Sequence, residues 1–149
     1  MIDGSVVIDA SVLVSWIVSS DANHNDSHFW MKRYRAIGGL LVVPAFAMIE
    51  VAAALARQSK NPVLTKATIK DLYSVSILRI VPLDSVLVRS AVDIAADLQL
   101  RAGDATYVAV AYKLKIPLVS WDKEQLQRGG ILIANYTPST YPFELPGQP

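Results

Sequence analysis

Four carboxylates stand where the chain could do chemistry: Asp9, Glu50, Asp104 and Asp122. Asp9 ends the run VVID, Asp122 ends LVSWD, Asp104 opens DATYVAVAY, and Glu50 lies inside AFAMIEVAAAL. Each aspartate taken alone has an ordinary explanation, because aspartate is a good helix N-cap. Asp122 with Gln125 three residues on also has the form of a capping box. Glu50 has no such explanation. It is the one charged residue in the twenty from Ile37 to Ala56, and it falls within a helical run rather than at its start. An unpaired carboxylate in apolar surroundings is neutralised or acquires a partner. A partly exposed helix edge, or a buried ion pair with, for instance, Arg57 or a distant lysine, is the plain alternative.

Brought together, the four acids demand a cation. Two carboxylates about 4 Å apart repel by roughly 4 kcal/mol at an effective dielectric near 20. Several such pairs would raise their pKa values and discharge the site. A divalent ion removes that cost, and an all-oxygen donor set selects Mg²⁺ or Mn²⁺ over zinc. The chemistry that follows is metal-assisted attack of water on a phosphate ester.

These residues must be positioned by elements, and the chain supplies them in alternation. Ser5–Ile8, Leu40–Val43, Arg79–Pro82, Leu118–Ser120 and Ile131–Ala134 read as short buried strands. Helices are expected over Ala10–Val18, Ala22–Ile37, Ala45–Ser59, Val63–Ile77, from an Asp84 cap to Gln99, from Asp104 to Leu114, and over Lys123–Gln127. Strands alternating with helices predict a three-layer α/β/α sandwich around a mainly parallel sheet. Ligands of such sheets bind beyond the strand C-termini, where Asp9 and Asp122 fall. On the helix after Asp84, the spacings Arg89–Asp93 and Asp97–Arg101 suit solvent-face ion pairs.

Composition narrows the class. With 149 residues, 52% hydrophobic and 18% charged, the chain suits one domain with a fully buried sheet, and its apolar excess leaves room for an oligomer interface. It lacks cysteine, which excludes disulfides and thiolate metal sites. A net charge of +1 gives no global field for nucleic acid, so any such contact must be local. Basic residues gather at Lys32, Arg33 and Arg35, at Arg57 and Lys60, and at Lys123 and Arg128. Such groups are more often solvated helix faces; Arg57, Lys60 and Lys123 are the candidate nucleic-acid contacts. The long apolar run is broken by Gly38-Gly39, Pro44 and Glu50, which argues against a membrane span. The N-terminus lacks the basic region of a signal peptide, and a cytoplasmic protein is expected. Residues 1–136 form the expected domain; the tail Thr137–Pro149, with four of the eight prolines, is expected to be irregular.

In order, VVIDASVLVSW, AMIEVAAAL, RAGDATYVAVA and LVSWD resemble the four acidic motifs of PIN-domain nucleases, and most nearly those of VapC-type toxins of toxin–antitoxin pairs. The likeness spans Val6 to Ala134. It implies that Asp9, Glu50, Asp104 and Asp122 are the catalytic ligands of one or two Mg²⁺ or Mn²⁺ ions, with Ser11 and Ser120 as supporting hydroxyls. It also implies cleavage of single-stranded or structured RNA, a VapB-type antitoxin that blocks the site, and a homodimer. The chain departs from the pattern at Ser120, where threonine is frequent. It departs again at Val51–Ala54, where an asparagine often follows the glutamate, and at Gly103, where an aromatic is common.

Other readings compete. An aspartate after the first strand also suits a phosphatase nucleophile, but position 11 is serine where a second acid would stand. A PIN nuclease that processes RNA without an antitoxin, or a binding module on the same fold, would share the sequence pattern. His24 and His28 have the spacing of a metal pair without a third ligand. Trp16, Phe29, Trp30 and Trp121 read as core, contact or crevice-wall residues. Asp3 reads as exposed, and the two Gly-Gly pairs as turns.

Overall fold

Five parallel strands in the order β3-β2-β1-β4-β5 form the single sheet of a computed structural model that describes residues 4–143. The strands are β1 (Ser5–Ile8), β2 (Leu40–Pro44), β3 (Leu78–Val81), β4 (Leu118–Val119) and β5 (Asn135–Tyr136). The helices are α1 (Ala10–Ile17), α2 (His24–Ala36), α3 (Phe46–Ser59), α4 (Pro62–Tyr73), α5 (Ser85–Leu98), α6 (Ala102–Leu114) and α7 (Lys123–Gly129). The order runs outward from β1 in both directions. Right-handed crossovers therefore put α1–α4 on one face and α5–α7 on the other. The packing agrees: α6 crosses β1, β2 and β4 and is flanked by α5 and α7, while α1 lies on α2 and α3. This is the expected three-layer sandwich.

Burial follows from that layering. All four residues of β1 are buried, as are seven consecutive residues of α6, Ala105–Ala111. Over those seven residues the helix is held between the sheet and two other helices and keeps no solvent face, so apolar side chains dominate there. The other helices are stopped and started by local chemistry. Asp9, Asn61, Asp84 and Asp122 cap α1, α4, α5 and α7 through their side chains. Asp104 does not cap: α6 begins two residues earlier, with Arg101 as its N-cap, so Asp104 projects from the first turn.

Three further expectations are corrected. The last strand is Asn135–Tyr136, not Ile131–Ala134; Ile131 is 74% exposed, and the apolar run is spent on the turn leaving α7. The helix after Pro62 ends at Tyr73 rather than Ile77. Neither Arg89–Asp93 nor Asp97–Arg101 is among the ion pairs of the described residues. Arg101 instead lies 3.9 Å from Asp104 and 3.6 Å from Glu124, which also meets Arg128 at 2.9 Å.

The tail is irregular but docked as far as Phe143. Trp30 and Tyr34 of α2 are fully buried and stack with ring centroids 4.8 Å apart. Tyr141 sits edge-on to both, and the Arg33 guanidinium lies 4.3 Å from the Phe143 ring. Residues 144–149 and Asp3 lie outside the described residues. Trp30 is thus core, Trp16 is half-buried against it, and Phe29 is exposed.

Gly39 admits this aromatic stack. A Cβ there would stand 2.4 Å from two atoms of the Tyr34 ring. The ring cannot retreat, because Trp30 stacks on it and its one hydroxyl proton is shared between the Gly4 and Leu40 carbonyls, 2.8 Å from each. Gly39→Ala is expected to destabilise the fold by about 3 kcal/mol, the upper range for overpacking. Gly38→Ala meets no neighbour within 4 Å and costs only its positive φ of 77°, about 1–2 kcal/mol. Urea unfolding of the two variants checks the order.

Candidate metal centre

The sheet order reverses at β1, whose neighbours are β2 and β4. At such a switch point the loops leaving adjacent strands part and open a crevice. Asp9 leaves β1 on one side of it. Ser120, Trp121 and Asp122 leave β4 on the other.

Two serines lock these loops together. The Asp122 N–H donates to Ser120 Oγ at 3.0 Å, so the Ser120 hydroxyl proton is free to reach Asp9 Oδ2 at 3.2 Å. Ser11 Oγ accepts from the Trp121 N–H at 3.1 Å, and the Ser11 N–H donates to Asp9 Oδ2 at 3.3 Å. Asp9 is 6% exposed and Ser120 fully buried. Ser11 and Ser120 therefore both bond to Asp9 Oδ2 and to the loop that carries Asp122. Trp121 is a crevice wall, with its indole N–H donating to Ser27 Oγ at 2.8 Å.

Glu50 enters from α3. Its partner is not Arg57: the Tyr107 hydroxyl donates to Glu50 Oε1 at 2.7 Å. Tyr107 is fully buried on α6, and the same hydroxyl accepts from the Ala10 N–H at 3.2 Å. Sequence reasoning passed over Tyr107, which reads as one more apolar position in DATYVAVAY; a phenol among alanines and valines three residues after an acid was the signal. Asp21 was also passed over. It lines an open cavity of about 290 Å³ together with Ser11, Glu50, Arg57 and Trp121. Lys60 and Lys123 are exposed at the C-cap of α3 and the start of α7. His24 sets Nδ1 2.8 Å from the Ser15 carbonyl, a tie between α2 and α1.

The acids act on one another. Burial raises the Asp9 pKa, opposed by its bonds to Ser11 and Ser120 and reinforced by Asp122. Burial also raises Glu50, opposed by Tyr107 and reinforced by Asp9. Asp104 is pushed up to about 6, first by burial and then by Asp122, Asp9 and Glu50, with Arg101 as the one opposing charge. Among the described residues, Arg101 at the rim is the one base in ion-pair range of any of the four. Also among them, no three acidic or histidine side chains are drawn tightly enough to enclose an ion as they stand. The charge and donor chemistry nevertheless fit a hard divalent cation: several carboxylates with mutually raised pKa values, oxygen donors throughout, and almost no compensating base.

A doubly wound α/β domain with an acidic crevice at its switch point is thus what the chain folds into. Residues 6–131 match the family model described as the PIN domain, and the chain belongs to that family. Among curated proteins, no sequence matches. Solved structures with the same fold include VapC20 of Mycobacterium tuberculosis, described as a sarcin-ricin loop cleaving toxin. That likeness has a TM-score of 0.69 at 18% identity, covering 83% of this chain and 95% of that one. FitAcB of Neisseria gonorrhoeae is similar at TM-score 0.66 and 16% identity, covering 89% and 97%. VapBC2 of Rickettsia felis, bound to a DNA fragment from its promoter, has TM-score 0.66 and 16% identity, covering 89% and 98%.

Proposed function

We propose that this chain is a divalent-metal-dependent endoribonuclease, the toxin half of a toxin–antitoxin pair. The observation that carries the reading is that Asp104 feels the charges of Asp122, Asp9 and Glu50, while among the described residues Arg101 is the one base in ion-pair range of any of the four. Membership of the PIN family supports nuclease chemistry, and the likeness to a loop-cleaving toxin supports RNA as substrate. The four acids would hold one or two Mg²⁺ or Mn²⁺ ions. Such an ion would supply a water of lowered pKa and stabilise charge developing on the phosphate.

The chain's own residues do the rest. Ser120 and the Ser11 N–H orient the Asp9 carboxylate by a shared bond to Oδ2. Asp122 is fixed at the head of α7, where its Oδ1 accepts from the Gln125 N–H at 3.0 Å. Arg57, on the cavity wall beside Glu50, is placed to meet a backbone phosphate, and exposed Lys60 and Lys123 extend that surface. Leu83, Val88 and Val92, all exposed, border one apolar hollow at α5 that suits a homodimer. No helix of the described residues is long and apolar enough to cross a membrane.

The reading is tested with purified protein on single-stranded RNA, with Mn²⁺ and with excess EDTA. Cleavage is expected only with the metal, giving 5′-phosphate and 3′-hydroxyl ends. Ends carrying 2′,3′-cyclic phosphate would mean that the RNA 2′-hydroxyl attacks, and the roles given to the acids would be wrong.

A further inference from the structure

We propose that Tyr107 and Gly103 are positioning residues for Glu50: the Tyr107 hydroxyl pins one carboxylate oxygen against the start of α1, and the missing Cβ of Gly103 leaves the other oxygen its place. The proposal rests on the metal-centre reading above.

The direction of the hydrogen bonds is forced. A backbone N–H can only donate, so the Ala10 N–H at 3.2 Å must use the phenol oxygen as acceptor. The phenol has one proton, and its remaining partner is Glu50 Oε1 at 2.7 Å. The link therefore runs from Ala10 N–H to Tyr107 to Glu50, and Ala10 directly follows Asp9. One oxygen atom thus sets Glu50 relative to the strand end that carries Asp9. Tyr107 is fully buried, so water cannot replace its hydroxyl.

Gly103 holds the other side. On α6, Gly103 and Asp104 lie four and three residues before Tyr107, so the three share a face. A Cβ at Gly103 would stand 3.3 Å from Glu50 Oε2 and 3.2 Å from the Phe46 ring. Both contacts are tighter than such atoms normally make. With Oε1 tethered by Tyr107, the carboxylate has little room to yield, and a side chain at 103 would turn Oε2 from its present direction. The glycine therefore accompanies the tyrosine: one sets the carboxylate's anchor, the other leaves its free oxygen unobstructed.

The test is calorimetry of Mn²⁺ alone on the full-length metal-free chain, with melting temperatures recorded alongside. Tyr107→Phe is expected to weaken Mn²⁺ binding about 10–100-fold, as loss of a ligand-orienting partner does. Gly103→Ala is expected to weaken it too while still folding, since the preference of a helix for alanine over glycine offsets part of the crowding. That variant keeps the proposal testable should the phenylalanine variant fold poorly. In a Glu50→Ala background, Tyr107→Phe is expected to change affinity no further. Near wild-type affinity in both single variants would overturn the assignment, as would an equal loss from Tyr107→Phe with and without Glu50. A wild-type chain that binds no Mn²⁺ would instead overturn the metal-centre reading on which it rests.

Discussion

Asp9→Asn is expected to lower metal-dependent RNA cleavage by well over about 100-fold, because loss of even an outer partner of a metal ligand costs 10–100-fold. The fold should survive. Asparagine caps helices as well as aspartate does, so the start of α1 keeps its acceptor for the Ser11 N–H. Asparagine also removes a buried charge whose pKa burial has already raised. The metal-free variant should therefore melt at or above the wild-type temperature while losing activity. Undiminished cleavage by this variant in excess EDTA would remove Asp9, and the metal, from the mechanism.

The second large effect is on stability. Asp104 has a pKa raised from 3.8 to about 6, and Asp9 and Glu50 are raised as well. The folded chain then holds more protons than the unfolded chain between those values. Stability consequently falls as pH rises through that window, and the contribution of Asp104 is fully lost above about 6. Without divalent ions, the melting temperature is expected to drop between pH 4.5 and 7, and Glu50→Gln should make the drop shallower. Mn²⁺ competes with the same protons, so its stabilisation should grow over the same range. At a hundred times its dissociation constant it would add about 2.7 kcal/mol, or about 5–10 °C for a chain of this size. Calorimetric scans at pH 4.5 and 7 decide the matter. A flat metal-free profile, or melting unmoved by Mn²⁺ at pH 7, would mean that the acids do not share a cation site.

Strand ends were legible in the sequence because apolar β-branched runs stop at a charge. Val6–Asp9 and Leu118–Asp122 showed this, and the parallel sheet followed from the alternation of elements. The last strand was not legible, because pairing rather than hydrophobicity defines it. Ser120 N–H donates to Tyr136 O and Leu118 N–H to Ala134 O, while the more apolar Ile131–Leu132 faces outward. Glu50 was legible by contrast with its neighbours. Its partner was not, since a tyrosine in a buried helix is ordinarily core, and the two are 57 positions apart. The ion pairs expected along α5 failed because four-residue spacing states only that two side chains share a face. Arg101 has a carboxylate on its own next turn and another on α7, and it meets both.

The central strand carries a consequence for the making of the protein. β1 is synthesised first, yet one of its two neighbours, β4, pairs Val7 with Leu118. A ribosome must add more than a hundred residues before that edge of β1 is closed. Contacts of such separation form slowly. Until they form, Ser120 cannot reach Asp9, and the crevice has only one wall. A growing chain therefore carries Asp9 through more than a hundred further residues before Asp122 can join it. The acidic crevice is complete only once β4 has paired with β1.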